Sequence, residues 1–196
     1  MAAQQDESKM KSVSVTSLMI PLSDYATVSQ DATLYEAVCA LKEASKKLET
    51  DKHAHRAVLV LNEVNQVVGK LSQWDVLRGL ERPFKELTNF NHTRAFGFSA
   101  SYVKTIANDL RNWKRPLEQL YPRVAKVKVK DVMYTPTEGE FVREDATIDE
   151  AIYQLAMGRH QSLLVVNDVE VVGVLRLVDV FEFVCKKIEK AGEKHK

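Results

Sequence analysis

Residues 58–76 read VLVLNEVNQVVGKLSQWDV and residues 163–180 read LLVVNDVEVVGVLRLVDV, one pattern written twice with a single-residue gap. A second block repeats in the same order. Residues 13–37 lie on residues 127–151 without a gap, and nine of the 25 pairs are identical. The identities include Met19 with Met133, and Asp31-Ala32-Thr33 with Asp145-Ala146-Thr147. Two blocks recurring in one order mark a duplication, so the fold is one unit used twice.

Each copy carries the same local signals. Thr33 and Thr147 stand three residues before Glu36 and Glu150, the spacing of a capping box that starts a helix. Leu34, Val38 and Leu41 follow at helical spacing, as do Ile148, Ile152 and Leu155. Beyond each helix lies an apolar, β-branched run, residues 57–61 or 163–166, which suits a buried strand. A turn at residues 62–66, or at Asn167 and Asp168, leads to a second strand at 67–71 or 171–175. A closing helix then starts near Ser72 or Leu177. With a short strand near Thr27 and Val28, or Phe141 and Val142, the unit is β-α-β-β-α and the class α/β (α+β). The expected boundaries are a tail at 1–12, a first repeat at 13–81, a helical insert at 82–126, a second repeat at 127–188 and a polar tail at 189–196.

One unit of about 60 residues rarely builds a sufficient core alone. Two copies packed about a pseudo-twofold axis would cover each other and leave two related clefts, which are favoured ligand sites. In the insert, residues 99–113 read as an amphipathic helix with Tyr102, Ile106, Leu110 and Trp113 on one stripe, ended by Pro116. Phe84, Phe90, Phe96 and Phe98 make the insert aromatic-rich. They suit packing of the insert onto the repeats, or else a docking surface or lid.

Composition excludes several classes. A net charge of +1 lacks the basic excess of a nucleic-acid binder. An apolar share of 45% supplies a core without disulfide or metal. Cys39 and Cys185 sit inside apolar helical patterns and read as small buried hydrophobes. No apolar run approaches the length of a membrane span, and the polar start carries no secretory pattern, so a cytoplasmic location is expected. His53 and His55 form an H-x-H with no third ligand at metal spacing, so no metal is expected. No Ser-His-Asp, Cys-His, paired-carboxylate or phosphate-loop motif appears, so the chain does not read as an enzyme.

The chemistry concentrates in VVGKLSQWD, where Gly69, Ser72 and Asp75 stand at G-x-x-S-x-x-D as a strand turns into a helix. Gly69 would let a ligand approach backbone with no Cβ between. The helix amino end offers N–H groups and partial positive charge to a phosphate. The Ser72 hydroxyl can donate to phosphate, Lys70 can neutralise it, and Asp75 can accept from ribose hydroxyls. The bland alternative is that Ser72 to Asp75 is only a capping box. The second copy reads VVGVLRLVD, keeping Gly173 and Asp179 but placing Arg176 where Ser72 stands. That cation could reach a phosphate or fill the cleft, so the two clefts are not equivalent. Arg159 and His160, just before the second copy's paired strands, are further cations for phosphate.

The duplicated pattern resembles the CBS domain pair (Bateman module), here as stand-alone tandem repeats. The matching pieces are VKVKDVMYTP, FVREDATIDEAI, LLVVND and VVGVLRLVD with their first-copy counterparts. The resemblance implies a regulatory module binding an adenosine-containing ligand: AMP, ADP, ATP or S-adenosylmethionine, with no cofactor required. It implies a first cleft of Gly69, Lys70, Ser72 and Asp75, with Phe141, Val142, Gln161 and Ser162 forming the base pocket. It implies a second of Arg176 and Asp179 with Thr27, Val28, Arg56 and Ala57, where Arg176 departs from the Ser or Thr of the family's motif. It also implies a homodimer, a four-repeat disc, built on the closing helices through Val76, Leu77 and Leu80 and through Val180, Phe181 and Val184. The regulated protein is not named by the sequence. A ligand-free interaction scaffold using the aromatic insert is the alternative.

Overall fold

The computed structural model describes residues 13–47, 57–81 and 117–193. The expected helix at 99–113, the aromatic insert residues, Pro116, His53, His55 and Arg56 lie outside the described residues. Those that are described divide into two compact units. One joins residues 13–25 to residues 136–193, and the other runs from 26 to 135.

In the second of these units, a three-stranded sheet is built from β2 (Thr27–Ser29), β3 (Ala57–Leu61) and β4 (Val67–Ser72), in the order β2-β3-β4. Strand β2 runs parallel to β3, and β4 antiparallel to it. The β3–β4 turn closes on Asn62, whose side-chain oxygen accepts from the N–H groups of Val64 and Gln66 at 3.1 and 2.9 Å. Helix α1 (Leu34–Lys47) crosses from β2 to β3, and α2 (Gln73–Glu81) follows β4 directly. A short helix α3 (Leu117–Val124) lies within the stretch read as insert.

The other unit repeats the plan with one strand more. Its four-stranded sheet has the order β1-β7-β6-β5, from β1 (Ile20–Pro21), β5 (Phe141–Arg143), β6 (Ser162–Asn167) and β7 (Glu170–Arg176). Helix α4 (Ile148–Gly158) crosses from β5 to β6, and α5 (Leu177–Glu193) closes the unit. Helix α5 runs on past residue 188 into the stretch read as a polar tail. One turn earlier on the same helix Lys186 meets Glu182 at 2.9 Å.

Both capping boxes form as the spacing predicts. The N–H of Thr33 donates to Glu36 at 2.6 Å and that of Thr147 to Glu150 at 2.8 Å. Each hydroxyl accepts from the N–H of its glutamate at 3.3 Å.

Each unit has its own apolar core, and each core contains the lead-in segment of the other repeat. Val15 is buried with Ile148, Leu155, Leu163 and Leu175. Val129 and Val132 are buried with Leu34, Leu41, Val58 and Leu71. The backbone exchange is matched: Ile148 N–H donates to Val13 O at 2.8 Å, and Leu34 N–H donates to Val127 O at 2.8 Å. Strand β1, absent from the sequence reading, comes from this exchange, because Ile20 and Pro21 pair with Val174 and Gly173 of β7.

Candidate functional site

The first motif sits where β4 passes into α2. Its acid is drawn back onto the helix start. The Ser72 N–H donates to Asp75 Oδ2 at 2.8 Å, and the Ser72 hydroxyl donates to the same oxygen at 2.6 Å. The Asp75 N–H donates in turn to Ser72 Oγ at 3.4 Å. The capping-box reading is therefore realised. It leaves the other carboxylate oxygen lightly used. Asp75 Oδ1 has only Arg78 Nη1 near it, at 3.8 Å, among the described residues. Asp75 is nevertheless 6% exposed. A carboxylate offers about four acceptor positions, and buried ones are normally filled.

Gly69 departs from its expected role. A Cβ there would stand 2.6 Å from Met133 Sδ and 3.0 Å from the Tyr134 carbonyl oxygen. What approaches this backbone is the protein's own chain. Lys70 and Tyr134 exchange N–H···O bonds of 2.9 and 2.8 Å, and the Lys70 ammonium lies 5.1 Å from the Tyr134 ring centre. Gly173 does the same work in the other unit, with Ile20 O at 2.7 Å and Met19 Sδ at 2.9 Å from its missing Cβ. The identity of Met19 and Met133 in the repeat alignment was the available signal for this packing.

The second motif is arranged differently. Arg176 Nε donates to Asp179 Oδ2, and Nη2 donates to Oδ1, both at 2.6 Å. The two side chains are 12% and 17% exposed. Tyr25, which sequence reasoning did not single out, is buried within electrostatic reach of both. Burial pushes its hydroxyl up to about 12, with Arg176 lowering it and Asp179 raising it.

The remaining expected residues fall within their units as follows. Thr27 and Val28 lie on β2, and Ala57 pairs across the sheet with Ser72. Val28 packs on its unit's core. Phe141 and Val142 lie on β5, with the Phe141 carbonyl accepting from Gln154 Nε2 at 2.7 Å. The Val142 side chain is in the core, so only its backbone can offer a ligand anything. Ser162 pairs with Arg176 across the sheet, and the Gln161 carbonyl accepts from Leu177 N–H at 3.0 Å. Arg159 ends α4 in the left-handed conformation, and the His160 imidazole lies on Gly158. No group of three or more His, Cys, Asp or Glu among the described residues is placed to hold a metal. None of their helices is long and apolar enough to cross a membrane.

The sequence profile of the CBS domain matches residues 15–82 and 129–186. The chain belongs to the CBS domain family. No curated protein matches this CBS chain, but solved structures do. A CBS domain-containing protein of unknown function from Bacillus anthracis is 18% identical, with a TM-score of 0.58 over 89% of this chain and 94% of that one. CBSX2, a CBS-pair protein known from Arabidopsis thaliana, was solved in complex with AMP. That structure is 19% identical, with a TM-score of 0.56 over 89% of this chain and 97% of that one. The CBS domain of a bacterial CNNM/CorC family Mg2+ transporter in complex with ATP is 17% identical, with a TM-score of 0.53 over 87% and 85%. These likenesses establish the CBS fold.

Proposed function

We propose that this CBS chain is a regulatory module that binds an adenine nucleotide at the Gly69–Asp75 motif and thereby modulates a partner protein. One observation carries the reading: Asp75 is buried at the amino end of α2 with one carboxylate oxygen met, among the described residues, only at 3.8 Å. A ribose hydroxyl donating to that oxygen would complete it, and a hydrogen bond to a charged group is worth about 1.5–3 kcal/mol. The start of α2 and the neighbouring Lys70 supply donors and positive charge for phosphate, and the Ser72 hydroxyl, which donates to Asp75 at 2.6 Å, would have to turn from it to join them. Two of the solved CBS relatives, described as complexes with AMP and with ATP, support an adenine nucleotide as the ligand class.

Calorimetry with AMP, ADP, ATP and S-adenosylmethionine tests it. The expected result is micromolar binding of an adenine nucleotide, lost in Asp75→Ala while the circular dichroism spectrum persists. No heat and no melting shift with any of the four overturns the reading.

The same proposal includes self-association. Trp74 and Leu77 are 75% and 56% exposed on α2, and Phe181 is 63% exposed on α5. Val180 is buried in its own unit's core and cannot serve such a contact. Sedimentation is expected to give a dimer that Trp74→Glu with Phe181→Glu dissociates; monomer alone at high concentration removes this part.

A further inference from the structure

In the unit that holds the second motif, the acid already has an occupant. Arg176 grips both Asp179 oxygens through two parallel donors at 2.6 Å, and the pair is largely shielded from water. A guanidinium fork matches a carboxylate edge-on. It thereby fills one acceptor position on each of the two oxygens and covers the carboxylate edge that the paired hydroxyls of a ribose would need. Buried Tyr25 stands beside the pair.

At each of these places the aligned residue of the other copy is smaller. Ser72 stands at the place of Arg176, and Gly139 at the place of Tyr25. The larger residues at the second motif therefore come as a matched set, one from the motif itself and one from a segment 151 positions earlier in the chain. A single drift at one position would not explain both.

We infer that Arg176, backed by Tyr25, is a built-in occupant of the second repeat's acid, so that this chain takes up one adenine nucleotide and not two. The inference rests on the nucleotide-binding reading above for its ligand, though not for the closure of the second motif. To bind there, a nucleotide would have to expel the guanidinium and leave a desolvated cation without its carboxylate. Arg176 thus sets the ligand count.

Equilibrium dialysis of the full chain with radiolabelled AMP and ATP reads that count directly. The wild type is expected to take one equivalent, and Asp75→Ala none. Arg176→Thr, which restores the small hydroxyl residue of the first motif, is expected to take two. The added equivalent should disappear in Arg176→Thr with Asp179→Ala. Two equivalents in the wild type overturn the inference while leaving the nucleotide reading in place. So does a single equivalent in both the wild type and Arg176→Thr. If the wild type takes none and Arg176→Thr takes one that depends on Asp179, the closure stands and the first-motif reading falls. None in either overturns both. Should Arg176→Thr fail to melt cooperatively, the wild-type count decides: one equivalent that Asp75→Ala abolishes supports the inference, and any other count overturns it.

Discussion

The sulfur of Met133 lies 2.6 Å from where a Cβ on Gly69 would stand. The glycine of the G-x-x-S-x-x-D motif is thus a crossing point, over which the lead-in of the other repeat passes. Gly173 has the same relation to Met19, yet the two crossings are not equally forgiving. At Gly173 the nearest atom is the Ile20 carbonyl oxygen, whereas at Gly69 it is the end of a flexible methionine. Gly173→Ala should therefore cost more than Gly69→Ala. Overpacking of this kind costs about 1–3 kcal/mol, and Gly173→Ala should lie at the upper end. Urea denaturation of both variants checks it, and equal losses would contradict the argument.

The two threonine caps are expected to behave as independent features. Thr33 and Thr147 each satisfy a helix-start N–H through the hydroxyl and fix a glutamate that satisfies another. Replacing either by Ala should cost about 1 kcal/mol. Because they belong to different units, the double variant should lose the sum to within about 0.5 kcal/mol. Thermal melts of the two single variants and the double variant measure this.

The features legible in the sequence were those set by near neighbours. Capping boxes span three residues, and the apolar runs of β3 and β6 are continuous. Both are local, so the repeat plan and the helix starts could be read directly. Partner choice over long separations was not legible. Val15 and Val129 are apolar wherever they pack, and nothing around them says that each enters the core holding the other repeat's strands. Strand β1 was missed for that reason, since two residues with a proline carry no period. At the motif, the sequence showed a cation able to reach a phosphate or fill the cleft, and its bidentate grip on Asp179 came only with the structure. The burial of Tyr25 beside that pair depends on the exchanged lead-in, which local pattern does not encode. Gly69 was misjudged for the same reason: a missing Cβ shows that something comes close, not what it is.

Burial rather than geometry should separate the two bidentate arginine pairs. Arg143 holds Asp145 through two bonds of 2.9 and 3.0 Å, but both side chains are about two-thirds exposed. Arg176 and Asp179 are mostly covered. A double-mutant cycle to Ala should give little or no measurable coupling for the exposed pair and about 2 kcal/mol for the covered one. Raising the salt to about 1 M should shrink only the first. A covered pair that couples no better than the exposed one would show that water reaches it.

Tyr25 should make stability fall at high pH in a way that Tyr25→Phe does not. Its hydroxyl is raised from 10.0 to about 12, burial being the main cause. A group whose folded pKa lies above its unfolded value stabilises fully below the unfolded one, and that stability is lost as pH rises through the folded one. The window is therefore pH 10 to 12, where the unfolded chain releases the proton and the folded chain keeps it. A shift of this size corresponds to about 2–3 kcal/mol. The other tyrosines and the lysines titrate in both proteins, so the difference between wild type and Tyr25→Phe isolates this one group. Guanidinium denaturation at pH 9, 10.5 and 11.5 should show that difference moving steadily against the wild type. A difference constant across the series would mean that the phenol is open to solvent, and the cover over the Arg176–Asp179 pair would have to be sought elsewhere.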